Sequence, residues 1–571
     1  MQPRSQAPPC VVNLSWWSCW KLWPLIGLVL ISGFGVAPVF SGTWLARYNG
    51  PGNGNDAGFA LVLDDSNNVY VTGASTGDGS GLDYVTIRYS PDGAQLWERR
   101  FNGTANGDDQ GIALAVSGTG EVYVTGTSWA DTSGNDVVTL RYTSSGEPVW
   151  TRSFNGLADD WDEPTAIALD SEGNVYVAAM SYDTLTAFDY ALLKYTESGS
   201  LVWDMRYNGS GNGYDIPTAL DLDSMGNIFL TGLSRGTGRA DDYWTLKCSP
   251  SGAVLWERRY DGPGNFEDWP YALLVDGSGN VYVTGFSSGA DSVADCVTLK
   301  YSDSGTLLWE ARYNGPSNRW DRGSRLKLDG SGNVIVAGAT FGPDSSYDYL
   351  VLKYSPSGAL LWDRTLNRTA HGWDEATALA IDASDNIYVA GLSTGYGTSY
   401  DYLTAKWFPT GVLTSAMLYG GPGNDIDVPS GLAVDDSGYV YLTGLSYGTG
   451  TGSDLATMKW VLTQYPMGFE ESLPGIQLPI RYALEQNNPN PLSCRTRIQF
   501  QLPEASWVVL KIFSVSGREV RTLVNENRPA GYFAVEWDGK DARGRDAASG
   551  LYICRMQARN FEDTKKMILL R

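Results

Sequence analysis

Short runs of β-branched, aromatic and other apolar residues, many alternating with polar ones, fill the chain from residue 43 to 463 and return at a fixed step. The stretch VYVTG, or a close variant, begins at Val69, Val122, Val175, Ile228, Val281, Val334, Ile387 and Val440, always 53 residues apart. A tryptophan keeps the same step at Trp44, Trp97, Trp150, Trp203, Trp256, Trp309 and Trp362, and the next step lands on Ser415. Such a period marks one supersecondary unit copied along the chain, each copy needing neighbours to bury its faces. In the copy that starts at Trp150, the pattern predicts strands over Thr165–Asp170, Asn174–Ser181, Asp189–Tyr195 and Ser200–Tyr207. Turns of the type DSEGN and TESG join the first strand to the second and the third to the fourth. Four antiparallel strands per copy predict a propeller blade.

The phase of the repeat predicts how the ring closes. The chain begins the repeats with a fourth-type strand, Thr43–Tyr48, and leaves them after a third-type strand, Asp454–Trp460. Pairing the two completes a last blade and removes two raw sheet edges. The expected fold is therefore all-β: an eight-bladed propeller over 42–463, closed by its N-terminal strand. The segment Gly411–Tyr419, where the tryptophan is lost, still supplies a fourth strand.

After Tyr465 the step stops, and Pro466, Pro474, Pro479, Pro489 and Pro491 mark a linker over 464–486 and the approach to a further domain. Residues 487–571 read as a small β-sandwich, with strands expected over Trp507–Phe513, Glu519–Val524, Tyr532–Trp537, Leu551–Ala558 and Lys565–Leu570. At the other end, residues 1–41 read as an export signal. Arg4 and Lys21 supply charge, Leu22–Phe40 is apolar but broken by Pro24 and three glycines, and small residues lead to cleavage near Ser41. No stable membrane span is expected in the mature chain.

Composition sharpens this picture. The 571 residues include 67 Gly and 21 Trp, which suits many short strands, tight turns and large side chains between sheets. The formal net charge is −23, yet residues 484–571 hold 14 Lys/Arg against 10 Asp/Glu, so the repeats carry the acid. An acidic surface disfavours nucleic acid and anionic lipid as partners. Beyond Cys10 and Cys19 the cysteines are Cys248, Cys296, Cys494 and Cys554, without CxxC spacing. A zinc site is unsupported, and a Cys494–Cys554 bridge is the alternative to isolated thiols.

Two columns hold aspartate in all eight copies. Asp56, Asp109, Asp162, Asp215, Asp268, Asp321, Asp374 and Asp427 fall in the connection from one copy to the next. Asp83, Asp136, Asp189, Asp242, Asp295, Asp348, Asp401 and Asp454 fall where the third strand begins. Both connections are the long ones and lie on one face of the disc, where propeller ligands bind. The expectation is that these carboxylates fix loops by accepting backbone N–H bonds. A calcium-binding or cation-attracting rim is the alternative, without the dense spacing of a calcium loop. Aromatic residues beside the first column are the ligand candidates: Trp161, Tyr214, Trp320 and Trp373 precede it and Trp269 follows it, with Trp129, Tyr182, Tyr396 and Tyr447 in nearby loops. Rings beside carboxylates can stack on and hydrogen-bond sugars, or simply pack between blades.

Catalysis has little support. His371 is the only histidine, so a Ser-His-Asp triad would depend on it alone. Acidic pairs are many, and none is singled out for a two-carboxylate hydrolase. The stretch YSPDGAQLW, at 89–97, resembles the tryptophan-docking repeats of eight-bladed quinoprotein dehydrogenases, but the adjacent cysteine pair of that family has no counterpart.

Two resemblances add to this reading. The copies, through NVYVTG, DYVTIRYSPDG and LWERRYNGPGN, resemble the bacterial SBBP-type β-propeller repeat over 42–463. That family implies a secreted or surface propeller and names no reaction; it is usually associated with seven blades, so eight is a departure. The tail resembles the type A C-terminal sorting domain of the type IX secretion system, a FlgD-like immunoglobulin fold. NNPNP (487–491), LPEASWVVLKIFSVSGREVRTLV (502–524), PAGYFAVEWDGKDARGRDAASGLY (529–552) and KKMILLR (565–571) carry it, and LSCRT (492–496) departs from it. The resemblance implies a Sec-exported protein passed through the periplasm to the outer surface by the type IX machinery. The expected function is non-catalytic binding of glycan or protein through the long-loop face, without a resident cofactor. An enzyme on a propeller scaffold, oxidoreductase or carbohydrate-active hydrolase or lyase, is the competing expectation.

Overall fold

The computed structural model describes residues 42–237, 240–291, 293–342, 346–368, 372–394, 399–423, 425–462, 482–487, 489–492, 495–503, 506–528 and 531–570. The export signal, His371, Tyr396 and Cys494 fall outside the described residues. The described chain is all β-strand, without a helix, and divides into one unit up to Thr463 and a second from Gln464.

The first unit is an eight-bladed propeller. Each blade is a four-stranded antiparallel sheet in sequential order, and its first strand is the innermost. Blades 1 to 8 have inner strands Asp56–Leu63, Asp109–Val116, Asp162–Leu169, Asp215–Leu222, Asp268–Val275, Asp321–Leu328, Asp374–Ile381 and Asp427–Val434. Blade 8 takes its outer strand from the other end of the unit: Trp44–Tyr48 pairs antiparallel with Ser453–Val461, Trp44 opposite Lys459 and Tyr48 opposite Leu455. The ring closes as the phase of the repeat required.

Inner strands start earlier than the alternation suggested. In blade 3 the strand begins at Asp162 instead of Thr165, because Asp162 already pairs with Ser181. A β-bulge between Pro164 and Ala166 breaks the alternation there, and the same bulge recurs in every inner strand. The first aspartate column therefore belongs to the inner strands, at their first residue, and not to the connections. The bulge also has a use. Its hydroxyl residue bonds the next blade's inner strand: Thr218 Oγ1 to the Pro270 carbonyl at 2.8 Å, Thr377 Oγ1 to Pro429 at 3.0 Å and, across the closing seam, Ser430 Oγ to Gly58 at 2.6 Å.

Blades are stapled at their outer edges by the repeated tryptophan. Trp97 of blade 1 lies over the third-to-fourth turn of blade 2, its Nε1 donating to the Ser144 carbonyl at 3.1 Å. The turn glycine beneath, Gly146, has φ +84°, and a Cβ there would sit 2.8 Å from the indole. Only glycine meets both demands cheaply. Trp150, Trp256, Trp309 and Trp362 repeat the contact, and Trp44 makes it onto Pro91 of blade 1, closing the circle. At the position that lost the tryptophan, buried Ser415 directs its hydroxyl to the Leu462 carbonyl instead.

The second unit is an immunoglobulin-like sandwich. One sheet holds Ala483–Leu484, Thr496–Leu502 and Gly531–Trp537; the other holds Glu519–Arg528, Ser506–Ser514, Gly550–Ala558 and Phe561–Leu569. Ile498, Phe500, Leu510, Ile512, Trp537, Cys554 and Met567 share its core. Ala483–Leu484 pairs with Phe500 and Gln501 inside the stretch assigned to the linker, so the sandwich starts before 487.

Two consequences are testable. Removing residues 42–49 strips blade 8 of its outer strand and leaves Asp454 without Arg47, its ion-pair partner at 2.8 Å. The expected result is a clearly lower melting temperature with aggregation through the open edge; an equally stable monomer would refute the closure. Removing 487–571 should leave the circular dichroism of the propeller unchanged, because each unit has its own core, and unfolding of the shortened chain would count against that independence.

Candidate functional site

Both aspartate columns lie on the long-loop face, separated in each blade by one hydroxyl residue. Asp56 pairs with Ser75 and Ser75 with Asp83; Ser128, Ser181, Ser234, Ser287, Thr340, Ser393 and Ser446 hold the same place in the other blades. Asp56 accepts the Gly50 N–H at 2.9 Å and the Thr76 N–H at 3.1 Å, which ties the incoming loop to the end of the second strand. The same pair of bonds recurs at Asp268, Asp321 and Asp427. The second column is held by arginine from the fourth strand. Arg100 reaches Asp83 at 2.8 Å and the Ser75 hydroxyl at 2.6 Å, and Arg259, Arg312 and Arg47 repeat this with Asp242, Asp295 and Asp454. Arg206 lies 3.8 Å from Asp189. In blade 7 the fourth strand offers no arginine, and Arg368, from the loop that enters the blade, takes Asp401 at 2.7 Å; blade 6 has Thr365 at the arginine position. Blade 2 has Ser153 at the arginine position, and Asp136 takes its hydrogen bond from Ser133.

Burial dominates the electrostatics of the first column. Asp162, Asp215, Asp321, Asp374 and Asp427 are pushed up to about 6 by desolvation, against hydrogen bonds that hold them lower. Asp242 of the second column reaches about 6 for the same reason, with Arg259 opposing. Among the described residues, Asp242, Asp261 and Asp268 bring carboxylate oxygens within 4.8 Å of one another, yet two of the three already carry the bonds just described. On the opposite face a further aspartate set, unremarked in the sequence reading, caps the tight turns. Asp64, Asp170 and Asp276 accept N–H groups two and four residues on, and hydrogen bonds hold all three below the usual carboxylate range despite partial desolvation. The recurring D-x-x-G-N, as at 170–174 and 276–280, with asparagine for glycine at 64–68, was its signal.

Trp161, Tyr214, Trp269, Trp320 and Trp373 flank the starts of the inner strands, while Trp129, Tyr182 and Tyr447 belong to the ends of second strands and not to loops, because pairing with the third strand extends that far. Trp161 Nε1 donates to Glu163 at 3.0 Å and Trp373 Nε1 to Glu375 at 3.1 Å, so each indole is fixed by a carboxylate two residues on. Trp161 is 36% and Tyr214 44% exposed. Trp269 and Trp320 both pack on Phe286, at 5.8 and 5.4 Å between centroids, and Trp373 packs on Tyr347 at 5.0 Å. Tyr214 stacks on Phe188, which also meets Tyr182, and Arg235 lies 5.2 Å over Tyr214. Trp129 is exposed.

The inner strands enclose a cavity of about 350 Å³, lined among others by Tyr271, Arg322, Arg325, Lys327 and Glu375. Arg322 pairs with Glu375 and lies 5.9 Å over Trp373. None of these cavity residues was a sequence candidate. Their signal was present as a break in the columns: Ala60, Ala113, Ala166, Ala219, Ala272, Ala378 and Gly431 stand where blade 6 has Arg325.

Comparison with known proteins agrees with the fold. A β-propeller repeat family model matches residues 418–450, and a FlgD Ig-like domain model matches 493–561. No curated protein matches. Among solved structures, PorZ, described as an essential bacterial surface component of the type-IX secretion system of Porphyromonas gingivalis, is 13% identical at TM-score 0.30, covering 91% of this chain and 74% of its own. The extracellular domain of a one-component system from B. thetaiotaomicron is 12% identical at TM-score 0.25, covering 90% and 81%. A puromycin hydrolase is 12% identical at TM-score 0.36, covering 69% and 58%. Likenesses this distant say nothing of activity or partners.

The raised carboxylates set a pH dependence. Between the ordinary carboxylate range and about 6, the folded chain holds protons that the unfolded chain has released. Their contribution is full below the unfolded value, is lost as pH rises through about 6, and is flat above. The lowered turn aspartates lose theirs only as pH falls through their depressed values. The melting temperature should therefore be higher at pH about 5 than at pH about 8. A melting temperature that climbs between those values would show the inner column to be solvated.

Proposed function

We propose that this chain is a secreted or cell-surface, non-catalytic propeller that binds glycan or protein through its long-loop face, and that its C-terminal sandwich is a type IX sorting domain. The observation that carries the binding reading is the aromatic and carboxylate collar. Trp161 and Trp373 are locked by Glu163 and Glu375, which holds their rings in place before a ligand arrives. Pre-positioned rings lose little entropy on stacking, and neighbouring carboxylates can accept sugar hydroxyls. The aspartate columns serve the frame in this reading, because in most blades at least one oxygen of each already receives an N–H, O–H or guanidinium donor. The FlgD-like family match and the basic tail support the sorting assignment.

A glycan array on the full chain is the direct test. Trp161→Ala and Trp373→Ala should each weaken a detected ligand by about tenfold or more, as loss of a central aromatic anchor does. Unchanged affinity in both variants would move the site away from the collar. Chelator and millimolar calcium should give the same melting temperature, whereas a calcium-dependent rise would reinstate the cation rim. In the native host, loss of 487–571 should strand the protein in the periplasm, and normal surface display would overturn the sorting assignment.

A further inference from the structure

We propose that the central channel of the propeller is a binding site for a small oxoanion of carboxylate or phosphate type, anchored by Arg325 and assisted by Lys327. The site adjoins the loop-face collar through Glu375 and Arg322, but its anchors, Arg325 and Lys327, lie further along the inner strand and outside the collar.

The repeat itself isolates the relevant residues. Inner strands converge on the axis, and four residues past the first aspartate seven blades carry alanine or glycine. Blade 6 reads DRGSRLKL and places Arg322, Arg325 and Lys327 on one strand beside the cavity. Two residues beyond the Arg325 column, four other blades carry alanine where blade 6 has Lys327: Ala115, Ala168, Ala380 and Ala433. A small-residue rule kept in seven blades and broken at Arg325, with a second cation two residues on, calls for a compensating gain.

The charges there do not cancel. The cavity lining carries Arg322, Arg325 and Lys327 against Glu375 alone, in a chain whose net charge is −23. Glu375 is taken by Arg322. Arg325 is half-buried in the channel wall and Lys327 is exposed to the channel; the side-chain hydrogen bond of Arg325 runs from Nη1 to the carbonyl of its own neighbour Ser324, at 2.8 Å. Desolvation lowers its pKa, and the more distant Glu375 only partly restores it. Arg322 Nε is also buried without an acceptor among the described residues. Asp221, near Lys327, is occupied by the Val275 and Leu222 N–H groups at 2.8 and 2.9 Å. A half-buried guanidinium whose remaining donors face the channel is a ready anchor, and a bidentate oxoanion is the partner its planar fork fits. About 350 Å³ admits such an ion with its substituent.

The test uses the full chain, with inorganic phosphate and glucuronate as separate probes at ionic strength matched by sodium chloride. Thermal melting and isothermal titration are the readouts. Wild type should melt higher with at least one probe, and the responding probe assigns the oxoanion as phosphate or carboxylate. Arg325→Ala restores the residue of six other blades, so it should fold with an unchanged circular dichroism spectrum. It should melt no lower than wild type without anion, lose the anion-induced rise, and bind at least about tenfold more weakly. Lys327→Ala should weaken binding by less. The proposal fails if neither probe shifts wild type beyond chloride, or if Arg325→Ala and Lys327→Ala both keep the full shift.

Discussion

A sheet with apolar side chains on both faces is stable only between two others, and every blade of this propeller is such a sheet. Its tyrosines and valines pack against the blade before and the blade after, as Val69, Val71, Val85 and Ile87 of blade 1 pack with Tyr441 and Leu455 of blade 8. An open row of eight would leave two apolar faces in water. Closure is therefore the condition on which the rest depends, and the chain meets it with residues drawn from both ends of the repeat region. Trp44 caps the turn of blade 1, Arg47 neutralises Asp454, and Ser430 bonds Gly58 near the axis. The tryptophan and serine contacts copy ones made at the internal boundaries and the Arg47–Asp454 pair copies one made inside other blades, so the seam is built like the rest of the ring.

That closure explains where function can reside. Residues that recur through the blades are engaged by their neighbours: tryptophan on glycine at the outer edge in most of them, aspartate on loop N–H groups, and arginine on aspartate where the fourth strand carries one. Positions that break the repeat are released from this work. Glu163, Trp269, Arg322 and Glu375 follow the inner aspartates, where other blades carry alanine, valine, isoleucine or glutamine. The collar and the channel cations are both built from such breaks, on a scaffold whose repeated contacts hold them still.

Much of this was legible in the sequence. A period of 53 residues gave the blade, and its phase gave the count and the closing strand. The inner strand was misplaced by three residues because a bulge after Pro164 hides the alternation, and the pairing of Asp162 with Ser181 is a long-range fact that no local pattern carries. Arginine partners such as Arg100 were overlooked because an exposed-looking outer strand gives no sign that its side chain crosses to the second strand's end. The channel was overlooked for another reason: attention to what repeats draws the eye from Arg325, which matters because it does not. In the tail, the alternation of Ser506–Ser514 placed a strand correctly, while Ala483–Leu484 is too short to announce itself.

The claim that the ring is a single closed unit is tested most directly by native-state hydrogen exchange of the full chain. Outer strands at internal boundaries, such as Gln95–Phe101, provide the reference. If Trp44–Tyr48 is an integral outer strand, its amides should exchange as slowly as theirs and through the same cooperative opening. Exchange of Trp44–Tyr48 at the rate of a frayed terminus, while Gln95–Phe101 stays protected, would contradict the account.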